Sequence, residues 1–189
     1  KSVRVADLAI ISPNDPVAMQ NYVREAKQIG LDYIYDPSQQ TIWLSGDDLR
    51  EGLDGSFMLT VNEYEMGMIE EKTGLSRSDI LSKANGVLIT KGKDGSELMI
   101  DGEAYQIPIV PIKDAVDPTG AGDAYRAGMM RGIQLGLPWD ICGRMGALAS
   151  AFVLESNGPQ GHSFTLGQFI ERYRNHFDDN GALNALLAD

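Results

Sequence analysis

Residues 117–128 read DPTGAGDAYRAG, with glycines at 120 and 122, an aspartate at 123 and a helix-like run behind them. Gly120 and Gly122 let the backbone turn tightly and approach a ligand closely. With a helix starting there, the free N–H groups of Gly120, Ala121, Gly122 and Asp123 point outward at the positive end of its dipole and form an anion hole. No Gly-Lys-Ser/Thr ending follows, so this is not the P-loop pattern. The turn ends instead in Asp123. Beside a bound phosphate, that carboxylate can take the proton of an attacking hydroxyl. Taken alone, the same residues suit a plain glycine turn with Asp123 as a helix cap.

Two upstream segments offer related chemistry. In TKGKDG, residues 90–95, the hydroxyl of Thr90 followed by Gly92 and Gly95 suits a loop around a nucleotide phosphate. It also suits an exposed hairpin turn. In NEYE, residues 62–65, Asn62 and Glu65 share one helix face. Their amide oxygen and carboxylate can hold Mg²⁺ through water, because Mg²⁺ dehydrates reluctantly. A helix cap with acids matched to the dipole explains them equally.

Alternating strand and helix signals must position these segments. ADLAII (6–11) reads as a buried strand. Asp15 and Pro16 open a helix that ends near Gly30, with Val17, Tyr22, Val23, Ala26 and Ile29 expected on its apolar face. LDYIYDP (31–37), FMLTV (57–61) and GVLITKG (86–92) read as further strands. A brief helix capped at Ser45 or Asp47 precedes the second of these. Asn62 caps a helix that ends at Gly74, and Ser76–Asp79 forms a capping box for another to about Ala84. A hairpin turns at Asp101-Gly102. Helices follow at 120–135, 138–154 and 166–177. The strands lack two-residue alternation, which predicts an α/β fold with a mostly parallel, helix-covered sheet as a single domain over 1–189. Ligands bind such sheets outside the strand carboxyl ends, and all three segments are expected there.

Composition narrows the function. The chain has 189 residues, 43% hydrophobic and 23% charged, and a formal net charge of −11 from 27 acidic and 16 basic residues. The acidic balance, with no Lys/Arg run, speaks against nucleic-acid and anionic-membrane partners. It leaves room for a phosphorylated small ligand, because backbone N–H groups bind anions without a basic domain. No apolar run is long enough to span a membrane, and the N-terminal residues lack a signal-peptide pattern. The lone Cys142 excludes an internal disulfide, and a cytoplasmic location is expected. It reads as a buried small hydrophobe.

Asn-x-x-Glu, then Thr-x-Gly-x-x-Gly, then Asp-x-Thr-Gly-Ala-Gly-Asp, in this order, resemble the ribokinase-like (PfkB) carbohydrate and nucleoside kinases. The last motif is the specific one, and the resemblance runs from ADLAIIS through NGPQGHS. It implies a three-layer ribokinase-like fold and transfer of the ATP γ-phosphate to a sugar or nucleoside alcohol. By this similarity Asp123 is the general base, and the 120–123 amides stabilise the transferring phosphoryl group. Asn62 and Glu65 organise Mg²⁺ and phosphates, and Thr90, Gly92 and Gly95 contact ATP phosphates. Residues 109–116 and the helix carrying Gly143, Gly146 and Ala147 flank the adenine, where close helix packing explains the same small residues. Asp117 and Thr119 lie where some members bind a monovalent cation. Pro118 and His162 depart from that pattern, which puts a K⁺ requirement in doubt. His162 is expected as a surface loop residue and His176 in the terminal helix.

The resemblance covers only the family's C-terminal part, without the first strands, the lid or the substrate-gripping residues. The expectation is an incomplete enzyme as an isolated chain, with a homodimer allowed for the full-length protein. The wording of DPTGAGDAYRAG and ASAFVLESNGPQ is closest to the adenosine- and nucleoside-kinase branch. A sugar kinase is the alternative. A non-catalytic nucleotide-binding module is the alternative from another class, and Asp123 argues against it, since a binder needs no base. A dinucleotide oxidoreductase is disfavoured, because no Gly-x-Gly-x-x-Gly follows the first strand.

Overall fold

The computed structural model describes residues 8–188, so Ala6 and Asp7 of the expected first strand lie outside the described residues. The expectation of a single domain meets two compact units. One runs to Gly92 and resumes at Glu97–Ala104; the other takes Lys93–Ser96 and everything described from Tyr105 onward.

The first unit alternates strand and helix: β1 (Leu8–Ile11), α1 (Pro16–Ile29), β2 (Asp32–Tyr35), α2 (Gly46–Leu53), β3 (Met58–Asn62), α3 (Glu63–Thr73), α4 (Arg77–Lys83) and β4 (Gly86–Thr90). Strands β1 to β4 pair in parallel and in sequence order. Tyr33–Tyr35, Met58–Val61 and Gly86–Ile89 are buried without alternation, as strands covered on both faces must be. The sheet continues with β5 (Ser96–Ile100) and β6 (Glu103–Ile107). Their connections are too short for a parallel crossover, so these two strands run antiparallel. The two-residue turn between them has Asp101 at φ 53° and Gly102 at φ 79°, the paired left-handed conformation that a tight hairpin requires.

Helix ends follow local chemistry. Asp15 accepts the N–H groups of Val17 and Ala18, Pro16 takes the first helical position, and Gly30 closes α1 in the left-handed region. The buried face of α1 is Met19, Val23 and Ala26, whereas Val17, Tyr22 and Ile29 are exposed. The expected apolar face is therefore corrected: an i, i+4, i+7 stripe through Met19 packs on the core, and the other three lie off it. Ser45 and Asp48, Asn62 and Glu65, and Ser76 and Asp79 each form a reciprocal capping box. Short 3-10 turns at Ser38–Ile42 and Gly92–Asp94 carry no periodic signal and were not expected.

The second unit holds α5 (Ala121–Gln134), α6 (Trp139–Leu154), α7 (Leu166–Arg174) and a 3-10 turn at Ala182–Leu187. Helices α5 and α6 pack closely through small residues. A Cβ at Gly128 would stand 2.6 Å from the Met145 carbonyl oxygen, and one at Gly132 would stand 2.9 Å from the Cys142 Sγ. Cys142 is fully buried, and burial pushes its thiol up to about 12, which makes it an inert core group. The terminal helix ends at Arg174, so His176 lies beyond it. No helix among the described residues is long and apolar enough to cross a membrane.

Candidate active site

The predicted site residues fall into two groups, one in each unit. In the first unit, Asn62 ends β3 and Thr90 ends β4, and the parallel register pairs these two residues directly. Two segments 28 positions apart in sequence thus meet at the carboxyl edge of the sheet, as expected of a parallel α/β sheet. Asn62 Oδ1 accepts the Glu65 N–H at 2.8 Å, and Glu65 Oε2 accepts the Asn62 N–H at 2.9 Å. The two expected metal-organising side chains therefore seal the start of α3. Gly92 is exposed at φ 56°, and a Cβ there would meet nothing within 4 Å.

Gly95 differs. A Cβ at this position would stand 2.2 Å from the Ile107 carbonyl oxygen, so its glycine is required by close approach to the end of β6. The next residue, Ser96, shares a 2.7 Å hydrogen bond with the Tyr125 hydroxyl inside the second unit. Burial pushes that phenol up to about 12.

In the second unit, DPTGAGD is separated from β6 by irregular chain over 108–116. Gly120 is the residue before α5, with φ 85° and no side-chain cap. Only glycine suits it twice over, because a Cβ would also stand 2.6 Å from Pro159 Cβ. The Ala121 N–H closes a turn onto the Pro118 carbonyl and the Ala124 N–H bonds the Gly120 carbonyl. The N–H groups of Gly122 and Asp123 are left facing out of the helix start. The Asp123 side chain is 76% exposed, and its Oδ1 receives Arg126 Nη2 at 2.5 Å. A first-turn carboxylate beside open amides is the geometry expected of an anion hole with a neighbouring base.

Other side chains hold this turn in place. Asp117 Oδ1 accepts the Thr119 N–H at 2.8 Å, and its Oδ2 accepts the Gly158 N–H at 3.1 Å. Hydrogen bonding from Thr119, side chain first and backbone second, and then from Gly158 holds the Asp117 carboxyl below the usual aspartate range. Asp117 thus fastens the 117–120 turn to the 156–160 loop. Ser150 Oγ of α6 donates to the Ala121 carbonyl at 2.7 Å. Ala147, half-buried, sits one turn earlier on the same helix face. Gly143 and Gly146 allow close packing, which is compatible with the adenine-flanking reading: a Cβ at Gly143 would strike Ile107, and one at Gly146 would strike Tyr125.

Sequence reasoning missed three features. The Asp123–Arg126 pair is signalled by its i, i+3 spacing. The Ser150 contact and the packing of Pro159 on Gly120 carry no local signal. His162 is half-buried instead of a surface residue: it stacks on Phe164 with ring centroids 5.9 Å apart and lines a cavity of about 240 Å³.

The profile described as "pfkB family carbohydrate kinase" matches residues 1–165, and the chain belongs to that family. It is similar to a nucleoside kinase of Methanocaldococcus jannaschii, with 30% identity over 142 residues, 75% of this chain and 47% of that protein. A fructokinase of Klebsiella pneumoniae is 31% identical over 127 residues, 62% of this chain and 41% of that one. Among solved structures, Burkholderia thailandensis nucleoside kinase in complex with ADP-inosine superposes with a TM-score of 0.90 at 32% identity, covering 93% of this chain and 55% of that one. These likenesses show the three-layer ribokinase-like fold expected from the sequence. The chain spans about half the length of the nucleoside kinases it matches.

Proposed function

We propose that this chain carries the phosphate-handling turn and the base of an ATP-dependent phosphotransferase whose acceptor is an alcohol group of a nucleoside. The observation that carries the reading is the start of α5: a glycine-capped turn with outward N–H groups and an exposed carboxylate three residues after the cap. The acceptor hydroxyl oxygen attacks the γ-phosphorus, the bond to the bridging oxygen of the leaving ADP breaks, and Asp123 takes the hydroxyl proton. The transition state is loose, so placement of the hydroxyl and neutralisation of the phosphoryl oxygens supply most of the catalysis. The Gly122 and Asp123 amides suit the second task.

The residues present fit a phosphate anion better than a directly ligated metal. Among the described residues, no group of three or more His, Cys, Asp or Glu can hold a metal ion. Mg²⁺, which supplies charge neutralisation when bound with the nucleotide, would meet Asn62 and Glu65 through water. Both Asp117 oxygens already accept backbone N–H groups, which gives Asp117 and Thr119 a structural task without K⁺. The inosine-bound nucleoside kinase supports a nucleoside acceptor, and the fructokinase likeness keeps a sugar as the second reading. We infer a cytoplasmic setting, and a homodimer for the full-length protein. The chain is read as the donor-phosphate portion of one larger catalytic domain.

ADP release from ATP and thermal stabilisation, measured on the full-length protein with adenosine, inosine, other nucleosides, ribose and fructose, test the acceptor. A nucleoside should give both the largest shift and turnover. A sugar in first place would transfer the reading to the sugar branch, and no turnover with any acceptor would overturn it.

A further inference from the structure

We propose that Arg126 is a positioning residue for phosphoryl transfer, holding one oxygen of Asp123 so that the other faces the acceptor hydroxyl. The proposal rests on the reading of Asp123 as the base. Arg126 lies one turn inside α5, with Nη2 at 2.5 Å from Asp123 Oδ1. The two partners are unequally exposed: the arginine side chain retains 15% of its surface and the aspartate side chain 76%. The arginine, half-buried, is the better held of the two and sets the geometry of the exposed aspartate. With Asp123 76% exposed, solvent screens this i, i+3 pair and it adds little to fold stability, so stability is a weak reason for the arrangement.

Gly122 lies between the two functions. A Cβ there would stand 3.2 Å from Arg126 Nη1 and 3.8 Å from Nη2. The guanidinium therefore covers the side-chain-free face of Gly122, next to the outward amides of Gly122 and Asp123. With Oδ1 engaged, Oδ2 is the oxygen available to the hydroxyl proton. In a loose transition state the proton moves late, so orienting the hydroxyl matters more than the strength of the base. Arginine suits this task through its rigid planar fork; lysine keeps the charge and loses the fork.

Steady-state kinetics of Arg126→Met, Arg126→Lys and Asp123→Asn in the full-length protein provide the test. For Arg126→Met, kcat should fall about 10- to 100-fold. The KM values for ATP and acceptor should stay within about twofold and the melting temperature should hold, as expected when only transition-state placement is lost. Arg126→Lys, or free guanidinium at low millimolar concentration added to Arg126→Met, should restore part of the turnover. Adding Arg126→Met to Asp123→Asn should slow the enzyme no further, because the two act as one unit. An unchanged kcat in Arg126→Met, or a fall that tracks a lowered melting temperature and resists guanidinium, would overturn the proposal. Asp123→Asn separates the two readings. If it keeps full turnover, the base assignment fails. If it collapses while Arg126→Met is normal, only the Arg126 assignment fails.

Discussion

Helices α3 and α5 begin in opposite ways. At α3, Asn62 and Glu65 exchange hydrogen bonds of 2.8 and 2.9 Å, so the helix start is capped by its own side chains. At α5, the capping residue is Gly120 at φ 85°, no side chain makes a capping hydrogen bond, and the amides of Gly122 and Asp123 face outward. A glycine in place of a side-chain cap costs only a few tenths of a kcal/mol, so leaving a helix start open is cheap. The lesson is that both segments lie in family motifs, yet side chains engage two amides at the start of α3 and none at the start of α5. The α3 start is held by a side-chain cap, and we propose the uncapped α5 start as the one that receives an anion.

The comparison can be broken at either end. The largest expected effect is on the open side: Asp123→Asn should lower turnover about 10³-fold, the range for a general base, while ATP binding survives. A binding module would show no such loss. Gly120→Val should follow, since it needs a left-handed backbone and overlaps Pro159. A loss of about 1–3 kcal/mol in chemical denaturation is expected, together with reduced turnover. On the sealed side, Asn62→Ala should cost about 1 kcal/mol through the lost cap, and Asn62→Ser, which keeps a capping oxygen, should restore stability. If Asn62→Ser also has a normal Mg²⁺ dependence, the residue is a cap and nothing more.

The smallest effect concerns pH. Asp117 titrates below the ordinary aspartate value of 3.8 because Thr119 and Gly158 donate to its carboxylate. Its contribution is therefore complete above that value and disappears as the pH falls through the lowered one. Melting curves of Asp117→Asn should lose that part of the acid dependence and match the wild-type slope near neutrality.

What was legible in the sequence was local. Capping boxes three residues apart, the Asp15-Pro16 helix start, the Asp101-Gly102 turn and the apolar strands all rest on interactions within a few positions. The face of α1 is not legible from apolar character alone: Val17, Tyr22 and Ile29 are apolar yet exposed, whereas Met19 makes the packing contact. Other features depend on segments far apart in the chain. Gly95 is a glycine because of the Ile107 carbonyl, Gly120 partly because of Pro159, and Asp117 ties its turn to Gly158 across 41 positions. The motifs marked where phosphate chemistry was to be sought. Whether a given polar side chain was already engaged, as in Asn62 and Glu65, required the fold.

The most direct test follows individual backbone amides by NMR while the full-length protein is titrated with a non-hydrolysable ATP analogue and Mg²⁺. The Gly122 and Asp123 amide protons should move downfield on binding as they acquire phosphate acceptors, while the Glu65 amide, already bonded to Asn62, should hold its position. Saturation with nucleotide that leaves Gly122 and Asp123 unmoved would contradict the account of α5 as the phosphate-receiving helix.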